Sequence, residues 1–154
     1  MLIPPSDGDE TMVSLARFGN AFPTLILRSP LHGLMSRRYA IIEFTGRKSG
    51  RRYTAPVAYL LDGDRILLST DSGWRRNLVG GAPVQLLLRG RKVAGSGTAL
   101  ADPVASAAVI RRLVDAIPSY ARLAGLARQN GRVSEEEIAG AVQRGRVGIT
   151  VMLG

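Results

Sequence analysis

Between two apolar runs of this chain lies Thr45-Gly46-Arg47-Lys48-Ser49-Gly50-Arg51-Arg52, where arginines, a lysine and a hydroxyl are set around two glycines. Gly46 and Gly50 permit positive φ, which lets consecutive backbone N–H groups converge on one point beside the side-chain charges. That combination suits an anion, a phosphate or a carboxylate. Taken alone, such a loop is an ordinary solvated turn. It is not a phosphate loop of the nucleotide-hydrolysing kind, because Lys48-Ser49 precedes the second glycine and no helix follows.

The elements that must position this loop are strands. Tyr39–Phe44 leads into it and Tyr53–Leu61 leads out, and within the second run Pro56 lacks an N–H, so that strand should be open or bulged on one side. An open strand beside an anion loop is a place for a flat ligand to dock. Asp62-Gly63-Asp64 reads as a hairpin turn into Arg65–Thr70. Ser72–Gly81 reads as a short helical turn closed by glycine, and it carries the only tryptophan, Trp74. Val84–Leu88 and Lys92–Leu100 form a further pair around Arg89-Gly90-Arg91, the second weakened by Gly95 and Gly97. Those two glycines lack the third of a dinucleotide fingerprint.

Helices follow. Asp102-Pro103 supplies a cap and a first-turn proline for a helix running to Ile117. Tyr120–Gln129 is read as a second helix, and Ser134-Glu135-Glu136-Glu137 as a capping box opening a third, to about Arg144. Val147–Leu153 returns to strand character. Upstream, residues 12–36 have the spacing of an amphipathic helix interrupted near Pro23; packing on the domain is the first reading and a membrane surface the alternative. The single histidine, His32, has no histidine partner for a metal or a triad and is assigned a structural role. Together these patterns predict one α+β domain over residues 1–154 with a mainly β core. It is a barrel of about six antiparallel strands, with helices at the N-terminus and between the last strands.

A chain of 154 residues is the size of one domain. It has no cysteine, which excludes disulfides, thiolate zinc sites and cysteine nucleophiles. No metal site is expected. The first residues do not read as a signal peptide, and no apolar run approaches a membrane span, so the expected location is cytoplasmic, with peripheral membrane association left open. The formal charge of +9 is almost entirely arginine, concentrated from Arg37 to Arg52. A field of that sign attracts acidic partners. Nucleic acid is disfavoured, because the few aromatic residues are not interleaved with the basic ones.

The loop Thr45–Gly50, Ala55-Pro56-Val57, Asp62-Gly63-Asp64 and Trp74-Arg75-Arg76-Asn77-Leu78, in that order and spacing, resemble the deazaflavin-dependent nitroreductase and quinone reductase family. Pro30-Leu31-His32 is similar to that family's entry segment. The resemblance spans roughly residues 30–100 and implies a split β-barrel of flavin-reductase type that uses coenzyme F420, with FMN as the alternative. It further implies that Lys48, Ser49 and Gly50 hold the coenzyme's phosphate, with Arg47, Arg51 and Arg52 near its acidic tail. Ala55, Pro56 and Val57 would run along the ring, and Trp74 and Asn77 would close the site. The expected activity is hydride transfer to a small acceptor, a quinone, nitroaromatic or activated alkene, with Tyr59 and Ser69 as candidate hydrogen-bond or proton donors. Only Thr70-Asp71-Ser72-Gly73 separate Ser69 from Trp74, so the acceptor site should be shallow. A binding protein of the same barrel type, holding flavin, haem or lipid without turnover, is the competing reading, and a homodimer is compatible with either.

Overall fold

The computed structural model describes residues 38–154. The expected helix over 12–36, His32 and the entry segment at Pro30 lie outside them. Seven strands form one antiparallel sheet: β1 Tyr39–Thr45, β2 Arg52–Ala58, β3 Leu60–Asp62, β4 Arg65–Thr70, β5 Ala82–Leu88, β6 Arg91–Ala99 and β7 Val147–Leu153, in the order β2-β1-β5-β6-β7-β4-β3. A six-residue 3-10 helix, Gly73–Leu78, links β4 to β5. Three α-helices lie between β6 and β7: α1 Pro103–Ala116, α2 Tyr120–Leu123 and α3 Glu135–Gln143.

The sheet must curl. Ala55 and Val57 of β2 share one core with Ile66 and Leu68 of β4, although five places separate the two strands in the sheet order. Period-2 alternation supplies the inward residues of every strand but β3, and curling the sheet so that this one face buries itself closes it into a split barrel. The opposite face of β4 is also apolar: Leu67 packs with Val109, Ile110, Leu113 and Ile138 under the helical layer. Leu67 and Leu68 thus serve two cores from adjacent positions.

Local signals act where the sequence placed them. The Asp102 carboxylate accepts from the Val104 N–H at 3.2 Å and opens α1 with Pro103 in its first turn. Ser134 Oγ accepts from the Glu137 N–H at 3.0 Å, but the Glu137 carboxylate accepts from the Ala127 N–H at 3.0 Å, so only half of the capping box closes on itself. Gly63 at φ 67 makes the β3–β4 turn.

Three expectations are corrected. Tyr53–Leu61 is two strands, because the Tyr59 N–H turns to the Arg38 carbonyl at 2.9 Å while Leu60 pairs with Leu67. The helix expected over Tyr120–Gln129 stops at Leu123, where Gly125 at φ 71 reverses the chain. The glycines of β6 do not interrupt it. A Cβ on Gly95 would sit 2.7 Å from the Met152 carbonyl oxygen, and one on Gly97 3.2 Å from Val84, so their bareness is what lets β6 approach its neighbours. Among the described residues no helix is long and apolar enough to cross a membrane.

The helical layer meets the sheet most tightly at Gly148. A Cβ there would lie 2.9 Å from the Val109 Cβ and 3.2 Å from the Ser106 Cα. Ser106, buried at that contact, accepts from the Gly148 N–H at 2.9 Å. Gly148→Ala must therefore push α1 off β7, and we expect a loss of about 1–3 kcal/mol in chemical denaturation with the native spectrum retained.

Candidate functional site

The curl brings the β1–β2 loop, the 3-10 helix and the start of β7 to one end of the barrel. The loop is tight and self-bonded. The Gly46 N–H donates to the Arg51 carbonyl at 2.8 Å, the Gly50 N–H to the Gly46 carbonyl at 2.9 Å, and the Arg51 N–H to Ser49 Oγ at 3.1 Å. Gly50 takes φ 71, and a Cβ on Gly46 would collide with Ser49 Oγ at 2.7 Å and the Tyr53 ring at 2.8 Å. The Arg47 N–H donates to Asn77 Oδ1 at 2.9 Å, and the Arg47 guanidinium donates to the Val79 carbonyl.

This accounting changes what the loop can offer. The N–H groups of Gly46, Arg47, Gly50 and Arg51 are consumed internally, leaving those of Lys48 and Ser49 without a partner among the described residues. Of the cations, Arg47 is committed to Val79, and Arg52 pairs with Glu43 at 3.2 Å. Lys48 and Arg51 are exposed, and their charged groups have no hydrogen-bond or ion-pair partner among the described residues. What the loop leaves uncommitted is thus Lys48, Arg51 and two backbone donors, with Ser49 Oγ serving Arg51 and, at 3.3 Å, the Tyr53 hydroxyl.

Beneath the loop, Trp74 stacks on Phe44 with centroids 5.1 Å apart, and Phe44 on Tyr53 at 5.9 Å. Trp74 is 5% exposed. It is a core anchor beneath the loop, not a wall over the site. Asn77 acts through Arg47: its Nδ2 donates to the Trp74 carbonyl at 3.0 Å while its Oδ1 holds the loop. Along β2 the alternation separates the predicted ring-contacting residues. Ala55 and Val57 are buried in the barrel core, and Pro56 alone of the three is exposed. β2 pairs only with β1, so Pro56 lies on an edge strand, as its missing N–H demands.

The two candidate donors are not delivered to the loop. Tyr59 is buried at the other end of the barrel, where β2 passes into β3. Ser69 faces the helical layer, where its Oγ shares a hydrogen bond with the Tyr120 hydroxyl and accepts from Arg146 Nη1 at 3.1 Å. Arg146 also reaches Asp71 at 3.7 Å, so the negative charge beside the 3-10 helix has a partner. Neither Tyr120 nor Arg146 carries a sequence signal, since each meets Ser69 only through the fold. Burial, and next the Arg76 charge, push the Arg75 guanidinium below its usual value; Arg75 binds the Asp71 and Ser72 carbonyls at 3.3 and 3.0 Å. Arg76 is exposed at the same end and was not among the expected site residues. Among the described residues no three His, Cys, Asp or Glu side chains are grouped to hold a metal.

No protein-family model and no curated protein matches the chain. Among solved structures it is similar to an F420-H2 dependent reductase at 15% identity, covering 75% of this chain and 94% of that one, with a TM-score of 0.52. It is also similar to a FAD-binding protein from Mesorhizobium loti at 12% identity, covering 82% and 90%, TM-score 0.52. A third is a domain-swapped dimer at 14% identity, covering 88% and 96%, TM-score 0.52. At these identities the likeness is one of fold.

Burial dominates the environment of Tyr120 and pushes its phenol above the usual value, against the opposing Arg146 charge and the Ser69 hydrogen bond. A raised folded pKa means that the neutral phenol's contribution is fully present below the unfolded value of about 10 and is lost as pH rises through the folded value. Tyr120→Phe should therefore be less stable than the parent near neutral pH, and the gap should narrow above about pH 10. Denaturation midpoints across that range check this; a gap constant with pH would count against it.

Proposed function

We propose that the chain is a deazaflavin-dependent oxidoreductase that binds coenzyme F420 at the β1–β2 loop and serves a small electrophilic acceptor, a quinone, nitroaromatic or activated alkene. The observation that carries this reading is the pair of uncommitted cations, Lys48 and Arg51, beside the free N–H groups of Lys48 and Ser49 on a loop fixed from below. The fold shared with an F420-H2 dependent reductase supports it.

The residues fit such a group as follows. Lys48, Arg51 and the two N–H donors would take the phosphate, and Arg76 and Arg52 would attract an acidic tail from the same end of the barrel. Pro56 offers an apolar surface on the β2 edge for a planar ring. The bound coenzyme supplies a hydride, and the protein supplies orientation and electrostatics. Asn77 and Arg47 hold the loop so that it is not reorganised on binding. Ser69 is occupied in the helical layer and Tyr59 is buried at the far end of the barrel, so any proton for the acceptor comes from solvent at the exposed edge. That occupation also favours, as a second reading, a barrel that binds the coenzyme without turnover.

F420 should bind more tightly than FMN, because a long polyanionic tail uses more of the cations than one phosphate does. Fluorescence titration of both coenzymes checks this, and equal or reversed affinity would remove the deazaflavin assignment. Lys48→Ala should weaken F420 binding by about 1.5–3 kcal/mol, the worth of a charged hydrogen bond, without shifting the thermal midpoint. Unchanged affinity would return the loop to a solvated turn. Tight binding of reduced F420 with no oxidation across a panel of acceptors would select the reading without turnover.

A further inference from the structure

At the end of the barrel away from the loop lies an open cleft of about 740 Å³. Its walls come from opposite sides of the curled sheet. Leu61 and its neighbours at the β2–β3 junction form one wall, Leu88 and Val93 of the β5–β6 hairpin another, and the C-terminal end of α1 closes it. The volume is that of a small-molecule site. The strands β1 and β5 separate it from the cation loop by roughly 20 Å of extended chain.

Its charge has one sign. Arg38, Arg89 and Arg91 line it, and no carboxylate does so among the described residues. The carboxylates adjoining the lining in sequence are engaged elsewhere: Asp62 by Arg65 at 3.1 Å and Arg112 at 3.2 Å, Asp115 by Arg111 at 3.5 Å. Arg38 donates to the Ala116 carbonyl at 3.1 Å, at the negative end of α1. Arg89 and Arg91 are exposed and have no partner among the described residues. Arg89 moreover holds φ 50 in the two-residue turn Arg89-Gly90, a backbone position that suits Asn or Gly. An arginine there is not explained by the turn.

We propose that this cleft binds a free amphipathic organic anion, an aliphatic or aryl-alkyl body with one acidic head. The body would lie against Leu61, Leu88 and Val93 and the head would meet Arg89 and Arg91. A guanidinium recognises a carboxylate or sulfonate through paired N–H donors, and an apolar wall beside it selects against fully hydrated anions. The site is independent of the coenzyme reading and stands or falls without it.

Anilinonaphthalene sulfonate titrated into the full-length protein tests this by fluorescence. We expect saturable binding at one site, displaced by phenylbutyrate and not by phenylbutanol at equal concentration. Arg89→Asn with Arg91→Ser should weaken it at least about tenfold. Because Asn suits the turn, that variant should keep or raise the thermal midpoint. Leu61→Glu, at a side chain 58% exposed, should weaken probe binding while the chain still folds. Lys48→Ala should leave it unchanged. Absence of saturable binding, equal displacement by the alcohol, or full affinity in the arginine and Leu61 variants would overturn the proposal. So would loss of binding in Lys48→Ala, which would place the probe at the loop. Co-sedimentation with phosphatidylglycerol vesicles that the arginine variant abolishes, without displacement of the probe by phenylbutyrate, would assign the cleft to a membrane surface instead.

Discussion

The cation loop stands on a stack of three rings. Phe44 lies near the end of β1, Tyr53 near the start of β2, and Trp74 arrives from the 3-10 helix to lie on Phe44 with planes 20° apart. Such a contact is worth about 0.5–1.5 kcal/mol beyond the area it buries. Its larger consequence is positional. A six-residue 3-10 helix has poor hydrogen-bond geometry of its own. It stays in place because Trp74 and Leu78 are buried, and it carries Asn77 to the Arg47 N–H. The stack thus fixes the loop from below and, through Asn77, from the side.

The same economy limits what the loop can do. Each internal hydrogen bond that stiffens the turn removes a donor from any ligand. Rigidity and binding capacity compete, and here they divide by position: the ends of the loop hold the turn, and its tip, Lys48 and Ser49, keeps its N–H groups free. β2 divides in the same way. Ala55 and Val57 are spent on the core, which leaves Pro56 as the outward surface. Pro56 also denies the edge a ladder donor, so β2 is a poor template for a further strand exactly where a flat ligand would have room.

What was legible in the sequence was local. Pro56 announced an edge, Asp102-Pro103 and Ser134 announced helix starts, and Gly63 announced a turn, because each acts on its own backbone within a few residues. The cation loop was legible as a loop, but its hydrogen-bond ledger was not, since Arg47 is held by residues 30 and 32 positions away. Ser69 suggested a donor by its hydroxyl alone, and its partners Tyr120 and Arg146 stand 51 and 77 residues on. The roles of Gly95, Gly97 and Gly148 were hidden for a related reason. A missing Cβ matters only against the atoms that would have met it, and those belong to other elements.

The arginine excess also has an internal order that composition conceals. Some of the charges are matched: Arg111 binds Glu135 at 2.6 Å, and Arg112 and Arg65 converge on Asp62, whose carboxyl their hydrogen bonds hold below its usual range. Exposed pairs of this kind add little stability. They do cancel one another's field locally. Cations with no carboxylate partner among the described residues stand at both ends of the barrel, Lys48, Arg51 and Arg76 at one and Arg89 and Arg91 at the other, and also on the helical layer, at Arg122, Arg128, Arg132 and Arg144. Since fields from exposed charges fade within about a Debye length of 8–10 Å in physiological salt, the two ends would act on anions separately. A net charge of +9 therefore describes no single basic face. It is spread over several separate groups of side chains, and substitutions at one end of the barrel should leave the other end's field intact.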